Sequence, residues 1–408
     1  MASSISEPVD VLIVGAGPAG AATAILLART GARVALVDRA HFPRPKPCSE
    51  FMSPEGARVL NRLGVLGRLE QSDCAQLQGL TVHAPRGSRL TGLFALAAVP
   101  PWRSAGLSIQ RAQLDAELVR AARAEGAGVH EGFRLTDLIH EQGAVSGALF
   151  EDGHGGVHAV SARLTIGADG LRSRVARRIG VQRRGRFRRY AFVTHMRGVH
   201  CVPGQAEMFV SERGYVGINP VGGGLANVAL VVPSGDARLA RGDAAAFFLA
   251  RCRWDPAVRE RLRGASLAAE VQVTGPFDVR ASRVTADGVA LVGDAADFFD
   301  PFTGDGIVSA LRGAELLAAT VPVALQNPGA VRRSRLAPYL RARRRAFAGK
   351  RIVSQLIAGA MHFPAFFDRA VARLDRRGGM AHTLIGVTGE FVPARAVLNP
   401  LFLGRMVL

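Results

Sequence analysis

A glycine-rich segment near the start of the chain has the spacing needed to hold the phosphates of a nucleotide. Residues 15–20 read Gly-Ala-Gly-Pro-Ala-Gly and follow the apolar run Val9–Val14. The first glycine permits a tight turn, the second lets backbone approach a pyrophosphate, and the third lets the following helix pack on the strand. Free N–H groups at the helix start attract the phosphates. The spacing predicts a dinucleotide site that includes Gly15, Gly17, Pro18, Ala19 and Gly20.

An acidic residue completes this arrangement. Asp38 ends a second strand-like run, Arg33–Asp38, and stands 23 residues after Gly15. At that distance its carboxylate is placed to accept hydrogen bonds from ribose hydroxyls. We include the adjacent Arg39 in the predicted site. A lone glycine motif is weak evidence, but the order strand, glycine turn, helix, strand and acid makes the signal strong. It does not separate NAD from FAD.

Later segments separate the two dinucleotides by resemblance. Asp169-Gly170 resembles the "DG" motif of flavoprotein hydroxylases, and Gly293-Asp294 resembles the "GD" motif that ends their FAD-binding domain. The segment 109–115, with Arg111, is similar to the helix start R-x-x-L/F-D of the same enzymes. Together with the glycine motif, they identify the chain as a member of the FAD-dependent oxidoreductases that include aromatic-ring hydroxylases and geranylgeranyl reductases.

This resemblance implies roles for individual residues. Asp294 binds the ribityl chain of FAD, and Arg111 lies near the cofactor. The segment 300–307 resembles the turn beneath the isoalloxazine ring, where backbone amides at Gly304 and Gly306 reach the pyrimidine edge and stabilise negative charge on the reduced ring. Pro301, Asp305 and Ile307 belong to the same predicted turn.

The fold class predicted is α/β. We expect a Rossmann-like FAD-binding domain of the glutathione-reductase type, an inserted antiparallel β-sheet substrate domain and a helical C-terminal tail. The first domain comprises residues 1–75, 105–185 and 280–330, the second 76–104 and 186–279, and the tail 331–408. Short runs separated by glycine and proline turns between Tyr190 and Val232 predict the antiparallel sheet.

A cysteine follows the second strand, in the segment Lys46-Pro47-Cys48-Ser49-Glu50. The segment resembles the K-x-C-G-G/E element of geranylgeranyl reductases, which lies near the flavin, so Lys46 and Cys48 join the predicted cofactor site. A thiol there could donate a proton to a substrate carbon. Packing and loop shape explain the cysteine equally well. Ser49 departs from the usual glycine, which weakens the reductase interpretation.

A segment of the predicted sheet separates the reaction types further. Tyr215-Val216-Gly217-Ile218-Asn219-Pro220 resembles the Y-x-W-x-F-P element of geranylgeranyl reductases and the W-x-W-x-I-P element of flavin halogenases. Gly217 replaces the tryptophan and Asn219 the bulky apolar residue, which opens space above the flavin and favours a hydroxylase. The predicted substrate site is Phe51, Tyr215, Gly217, Asn219 and Pro220.

The hydroxylase interpretation implies NAD(P)H as electron donor and O2 as co-substrate, with a C4a-hydroperoxide of the flavin delivering oxygen to a hydrophobic, aromatic or polyketide-like secondary metabolite. His195 and Asp297 are candidates for the base that activates the substrate, and Cys48 is a third catalytic candidate; a structural role is the simpler interpretation of His195. The alternatives are C=C reduction of an isoprenoid and a flavin-binding protein without turnover.

Composition limits the partners. The formal charge is +19, yet the only lysines are Lys46 and Lys350, and the arginines are scattered without interleaved aromatic residues. This argues against nucleic acid and for at most weak contact with a membrane surface. The four cysteines lack metal-ligand spacing, so no metal is predicted. No apolar run reaches the ~18 residues of a membrane span, and we expect a cytoplasmic location. The oligomeric state stays open.

Overall fold

The computed structural model describes residues 7–240 and 242–407 of the chain. Its strands, in chain order, are β1 Val9–Val14, β2 Val34–Asp38, β3 Phe51–Met52, β4 Ala75–Leu77, β5 Gly79–His83, β6 Arg89–Leu93, β7 Gly106–Ser108, β8 Gly128–Glu131, β9 Arg134–Glu141, β10 Ala144–Glu151, β11 Val157–Gly167, β12 Gln182–Arg184, β13 Arg189–Arg197, β14 Gln205–Ser211, β15 Gly214–Gly222, β16 Leu225–Pro233, β17 Ser266–Leu267, β18 Gln272–Thr274, β19 Val279–Ala281, β20 Thr285–Ala286, β21 Val289–Leu291 and β22 Asp297–Phe298.

The α-helices are α1 Pro18–Ala28, α2 Pro54–Arg62, α3 Leu66–Gln71, α4 Arg111–Ala124, α5 Arg174–Arg178, α6 Ser234–Ala237, α7 Ala244–Cys252, α8 Pro256–Arg261, α9 Gly306–Ala318, α10 Val321–Ala324, α11 Ala337–Ala360, α12 Pro364–Arg376, α13 Gly378–Thr388 and α14 Pro400–Val407. Helix α2 has a favourable start, because the Ser53 hydroxyl accepts from the N–H of Glu55 and Pro54 is the first helical residue.

The first sheet, called sheet I, has the strand order β20-β21-β11-β1-β2-β8, with β10 and β9 continuing from β11. Strands β21, β11, β1, β2 and β8 are parallel. Residues 11–14 of β1 are all buried, as expected for a parallel strand covered on both faces. Helices α1, α4 and α9 cover one face. The glycine turn therefore lies at the carboxyl end of β1, where α/β folds bind ligands.

The second sheet, sheet II, has the order β17-β13-β16-β15-β14-β5-β6, and β18 also pairs with β13. It contains the strands predicted between Tyr190 and Val232. The expectation of an antiparallel sheet is wrong at one place, because β14 and β5 run parallel. The β5–β6 hairpin comes from a much earlier part of the chain, so no tight turn sets its direction relative to β14.

The C-terminal helices α11 to α14 pack on one face of sheet II. Leu408, which ends an apolar C-terminal run, lies outside the described residues. One stretch, Gly306–Ala324, is long and apolar enough on average to cross a membrane, although no uninterrupted apolar run of that length occurs. It is 61% buried within the protein and packs against α1, so we interpret it as a core helix.

Candidate functional site

A cleft between the two sheets collects most of the predicted motifs. It has about 1180 Å³ of empty space, including the part open to solvent. We call it the main cleft; of the predicted cofactor residues it is lined by Gly17, Pro18, Ala19, Lys46, Cys48, Arg111, Gly170, Asp294, Pro301, Gly304, Gly306 and Ile307. From sheet II come the small or apolar residues Ala191, Val193, Met208, Gly217, Ala229 and Val231, with Tyr215.

One end of the main cleft is built to receive phosphate. Gly17 is the N-cap of α1 and has no side chain to cap the helix, so the first N–H groups of α1 are free to bind a ligand. A Cβ added at Gly17 would lie 3.8 Å from Arg111 Nη2 and 3.9 Å from Arg44 Nη2. Two guanidinium groups and a helix N-terminus therefore face one point, which favours a doubly charged pyrophosphate.

The other two glycines of the turn allow a close approach between backbone segments. Gly15 has a φ of +103°, and a Cβ on Gly20 would lie 1.8 Å from Gly15 O, so the turn and the helix approach closely only without side chains. Asp38 fixes the turn to the second strand by accepting from Ala16 N at 2.7 Å and from Ala40 N at 2.9 Å. Each carboxylate oxygen keeps acceptor capacity for a ribose hydroxyl. Arg39 is exposed and does not line the cleft.

Arg111 is held in place by a carboxylate on its own helix. Its Nε and Nη2 donate to Asp115 at 2.9 and 2.7 Å, and both side chains are buried. Burial opposes the charge of the guanidinium, but the adjacent Asp115 and Cys48 together outweigh this effect and raise the pKa of Arg111. The pair explains the R-x-x-x-D spacing, because residues i and i+4 share a helix face.

The two residues of the predicted DG motif have different positions relative to the cleft. Asp169 does not line the cleft; it accepts from the backbone N–H of Arg174 at 2.6 Å and of Val175 at 3.2 Å and so holds the start of α5. Burial raises its pKa. Gly170 lines the cleft beside Lys46, whose Nζ would lie 3.6 Å from a Cβ added there. Asp169 therefore positions the cleft wall and does not itself line the cleft.

The GD motif presents a carboxylate to the cleft. Burial raises the pKa of Asp294, and the nearby Lys46 and Arg111 oppose this rise. Burial also lowers the pKa of Lys46. A carboxylate and an ammonium that both face the same cleft fit a ligand with many hydroxyl groups and a polar ring, since such a ligand satisfies both. Gly293 has a φ of +63° and lies against Ala19, which brings this turn onto α1.

The segment 300–307 forms the floor of the cleft. Pro301, Gly304, Gly306 and Ile307 line it, and Gly304 has a left-handed φ of +66°. Asp305 points away: it accepts from the hydroxyl of Thr303 at 2.8 Å and forms an ion pair with Lys350. Lys350, on α11, also contacts Ser309 and Glu390. Asp305 thus joins the floor to the tail and does not contact the cleft.

The loop that carries Cys48 is anchored by Glu50. The Glu50 carboxylate, 3% exposed, accepts from His195 Nε2 at 2.7 Å, from Asn227 Nδ2 at 3.1 Å and from Arg111 N at 2.7 Å. Asn227 also donates to Cys48 O at 2.8 Å. The hydrogen bond to Glu50 raises the pKa of His195. His195 is therefore a support for the loop rather than a base in the cleft.

Asp297 also lies away from the cleft. It forms ion pairs with Arg351 and Arg343 of α11 and lines an adjoining polar cavity on the tail side, which shares Asp294 with the main cleft. Both carboxylate oxygens of Asp297 therefore face arginine side chains of α11. Neither candidate base is among the residues that line the main cleft, and the structural role preferred for His195 agrees with its contact to Glu50. Asn227 was not among the predicted site residues. Its only signal in the sequence is a polar side chain within the apolar strand Leu225–Pro233.

Of the predicted substrate residues, two line the main cleft. Tyr215 and Gly217 face it from β15. Asn219, at the far end of the same strand, donates to Ser108 Oγ at 2.5 Å, and Pro220 follows it outside the cleft lining. Phe51 packs beneath the floor, against Gly304 and Phe94. Asn219, Pro220 and Phe51 therefore shape the surroundings of the cleft.

The sequence pattern described as "FAD binding domain" matches residues 8–354 of this chain. The chain belongs to this family. The free N-terminus of α1 with its two arginines and the carboxylate at Asp294 fit FAD, and the protein is an FAD-dependent oxidoreductase of the superfamily of aromatic hydroxylases and geranylgeranyl reductases. Asp294, Lys46 and Arg111 are the charged residues that would hold the cofactor.

Curated relatives of this FAD-dependent oxidoreductase include reductases. It is 31% identical to digeranylgeranylglycerophospholipid reductase 2 of Methanopyrus kandleri over 312 residues, 74% of each protein. It is 29% identical over 331 residues to menaquinone reductase of Mycolicibacterium smegmatis, covering 76% of this chain and 75% of that protein. A solved flavin-dependent brominase has a TM-score of 0.80 at 21% identity, covering 96% of this chain and 97% of that one, and shows a shared fold.

Proposed function

We propose that this protein is an FAD-dependent monooxygenase that hydroxylates a hydrophobic aromatic compound, with NAD(P)H as electron donor and O2 as co-substrate. The observation that carries the proposal is Gly217 in the wall of the main cleft. Geranylgeranyl reductases share a tryptophan at this position of their Y-x-W-x-F-P element. Here the wall opposite the predicted ring site has no side chain, which leaves room for a planar substrate.

The space beside Gly217 is open. A Cβ added there would meet only the end of the Met208 side chain, at 3.6 Å. The neighbouring wall residues Ala191, Ala229 and Val231 are small and apolar. This wall favours a flat hydrophobic ring by burial of apolar area and keeps water from the reacting atoms.

Bound FAD supplies the electrons and activates the oxygen. The protein's own residues orient the substrate. Tyr215 lines the cleft, and its hydroxyl donates to Asp300 Oδ1 at 2.7 Å, so its oxygen is left to accept a hydrogen bond from a substrate hydroxyl. Burial and the adjacent Asp300 raise the pKa of Tyr215 well above its ordinary value. Tyr215 therefore stays protonated at neutral pH and acts as an acceptor that fixes the ring.

A second candidate function, reduction of an isoprenoid C=C bond, is favoured by Cys48. Its side chain lines the main cleft, and two relatives are named as a menaquinone reductase and a digeranylgeranylglycerophospholipid reductase. In such a reaction bound FAD would supply the hydride for one alkene carbon, and the Cys48 thiol would give a proton to the other. Cys48→Ala should then abolish turnover, whereas a hydroxylase should keep activity within a few-fold.

The decisive experiment is anaerobic stopped-flow reduction of the purified protein by NADPH, followed by mixing with aerated buffer and candidate phenols. The proposal expects reduction of the flavin and a hydroxylated product that appears only with O2. Reoxidation without O2 by a prenyl substrate, lost in Cys48→Ala, would replace the hydroxylase with the reductase. Flavin that neither NADPH nor substrate affects would indicate a protein without turnover.

A further inference from the structure

A second cavity lies between sheet II and the C-terminal helices, and the proposed reaction does not use it. It has about 1150 Å³ of empty space, including the part open to the surface. We call it the tail cavity; it is lined by β5 and β6 on one side and by α11 to α14 on the other. Among the described residues that line it, only Thr303 and Thr388 have polar side chains.

The chemistry of this lining restricts the ligand. A polar ligand would find almost no hydrogen-bond partners there, so its desolvation would not be compensated. An empty apolar cavity of this size forfeits van der Waals contacts along its whole lining. A hydrocarbon chain restores those contacts and needs no polar partner. The tail cavity therefore fits an extended alkyl or isoprenoid chain.

The tail cavity and the main cleft are separated by two aromatic rings. Tyr215 lines the main cleft and Phe302 lines the tail cavity. The two ring centroids are 5.1 Å apart, with the planes at 88°. Pro301 and Gly304 face the main cleft while Thr303 faces the tail cavity, so a single turn of chain forms part of both walls.

One buried carboxylate holds this partition. Asp300 Oδ1 accepts from the Tyr215 hydroxyl at 2.7 Å and from Phe302 N at 3.0 Å, and Asp300 Oδ2 accepts from Arg189 Nη1 at 3.1 Å. Tyr215 is therefore fixed through its side chain. Phe302 is hydrogen-bonded only through its backbone, and its ring is held by apolar packing, edge-on against Tyr215.

We propose that the tail cavity binds the apolar chain of a substrate whose ring lies in the main cleft, and that the chain runs past Phe302. The identity of the ring rests on the proposed function. Leu356 lines the tail cavity and is 52% exposed, so the cavity opens to the surface beside α11 and gives the chain a route of entry. The substrate is thus an aromatic ring with a long alkyl or isoprenoid chain.

The test compares 3-ethylphenol with 3-pentadecylphenol, using binding to the oxidised holoenzyme without NADPH, followed by the change in the flavin absorption spectrum. Each methylene that enters an apolar site strengthens binding about fourfold. Ala360 lines the tail cavity, and Ala360→Phe fills part of it. We expect this variant to bind pentadecylphenol at least about tenfold more weakly and ethylphenol unchanged. Ala348→Phe, at an exposed alanine of the same helix, is the matched control.

A second variant tests the partition. Phe302→Trp enlarges the ring beside Tyr215 and should weaken pentadecylphenol binding while ethylphenol binding is retained; a thermal melt checks that both variants fold. If neither phenol changes the flavin spectrum, the fluorescence of dansylundecanoic acid reports the chain alone. Equal long-chain binding by the wild-type protein, Ala360→Phe and Phe302→Trp, or no long-chain binding by the wild type, would overturn the proposal. Neither result depends on hydroxylation, so failure of the proposed reaction is detected separately.

Discussion

At the phosphate end of the main cleft the contacts come from backbone, glycine and charged residues, whereas at the sheet II end they come from small and apolar side chains of four strands. The first end is specified within short segments, such as residues 15–20, because a turn and a helix start suffice. The second end exists only after β13, β14, β15 and β16 pair. A cofactor site can therefore persist while the substrate site changes by single residues such as Gly217.

The largest effect is expected from a substitution that disrupts only the phosphate end of the main cleft. Gly17→Val places a side chain where the phosphates must approach, although a Cβ there has no protein atom closer than 3.8 Å. We expect the apoprotein to keep its stability and FAD affinity to fall at least about 100-fold, about 3 kcal/mol. Flavin absorbance of the purified protein and a thermal melt measure the two quantities. Gly153→Ala, at an open loop position, is the control; a yellow Gly17→Val protein would contradict the assignment.

The second substitution disrupts only the sheet II end of the main cleft. Gly217→Trp should keep stoichiometric FAD and lower turnover of bulky aromatic substrates by about 100-fold, because the indole would fill the space opposite the ring site. Gly217→Ala, which adds a group only 3.6 Å from Met208, should retain activity. Steady-state rates with small and large phenols give the comparison. Unchanged turnover of large phenols in Gly217→Trp would mean that the residue does not face the substrate.

A smaller effect is expected at Glu50, which links both ends. Removal of its buried carboxylate leaves His195 Nε2 and Arg111 N without their acceptor, so Glu50→Ala should lower the free energy of unfolding by about 2–4 kcal/mol. Glu212→Ala, at an exposed turn, should have no measurable effect. Urea unfolding of the apoproteins measures both. Equal stability of the two variants would show that the anchor contributes nothing.

The smallest effect is the pH dependence of this anchor. The hydrogen bond to Glu50 raises the pKa of His195 above the ordinary value of 6.5. The stabilisation is therefore fully present below about pH 6.5 and is lost as the pH rises through the folded-state pKa. The difference in unfolding free energy between wild type and His195→Gln should shrink by less than about 1 kcal/mol from pH 6 to pH 9. A stability difference that grows with pH would show that the pKa of His195 is lowered in the folded state instead of raised.

The sequence predicted β1, α1 and β2 closely, because apolar runs and a glycine turn are local signals. Of the predicted cofactor residues in later segments, Arg111, Asp294, Pro301, Gly304, Gly306 and Ile307 line the cleft, and Asp305 does not. The contacts that the sequence could not predict are those of polar residues with remote partners: His195 meets Glu50, 145 positions away, and Asp297 meets Arg351, 54 positions away. Residue type and spacing do not encode such partners, and only the paired sheets and the docked tail bring them together.

The ion pair between Lys350 and Asp305 has a consequence for assembly. Lys350 belongs to α11, Asp305 to the floor of the main cleft, and Glu390 to the loop after α13, so one buried ammonium joins all three. Docking of the last 70 or so residues and shaping of the cofactor floor are therefore one equilibrium. FAD should protect α11 from proteases, and a chain truncated before α11 should emerge colourless. In thermodynamic terms the cofactor would then be a folding ligand for the C-terminal helices as well.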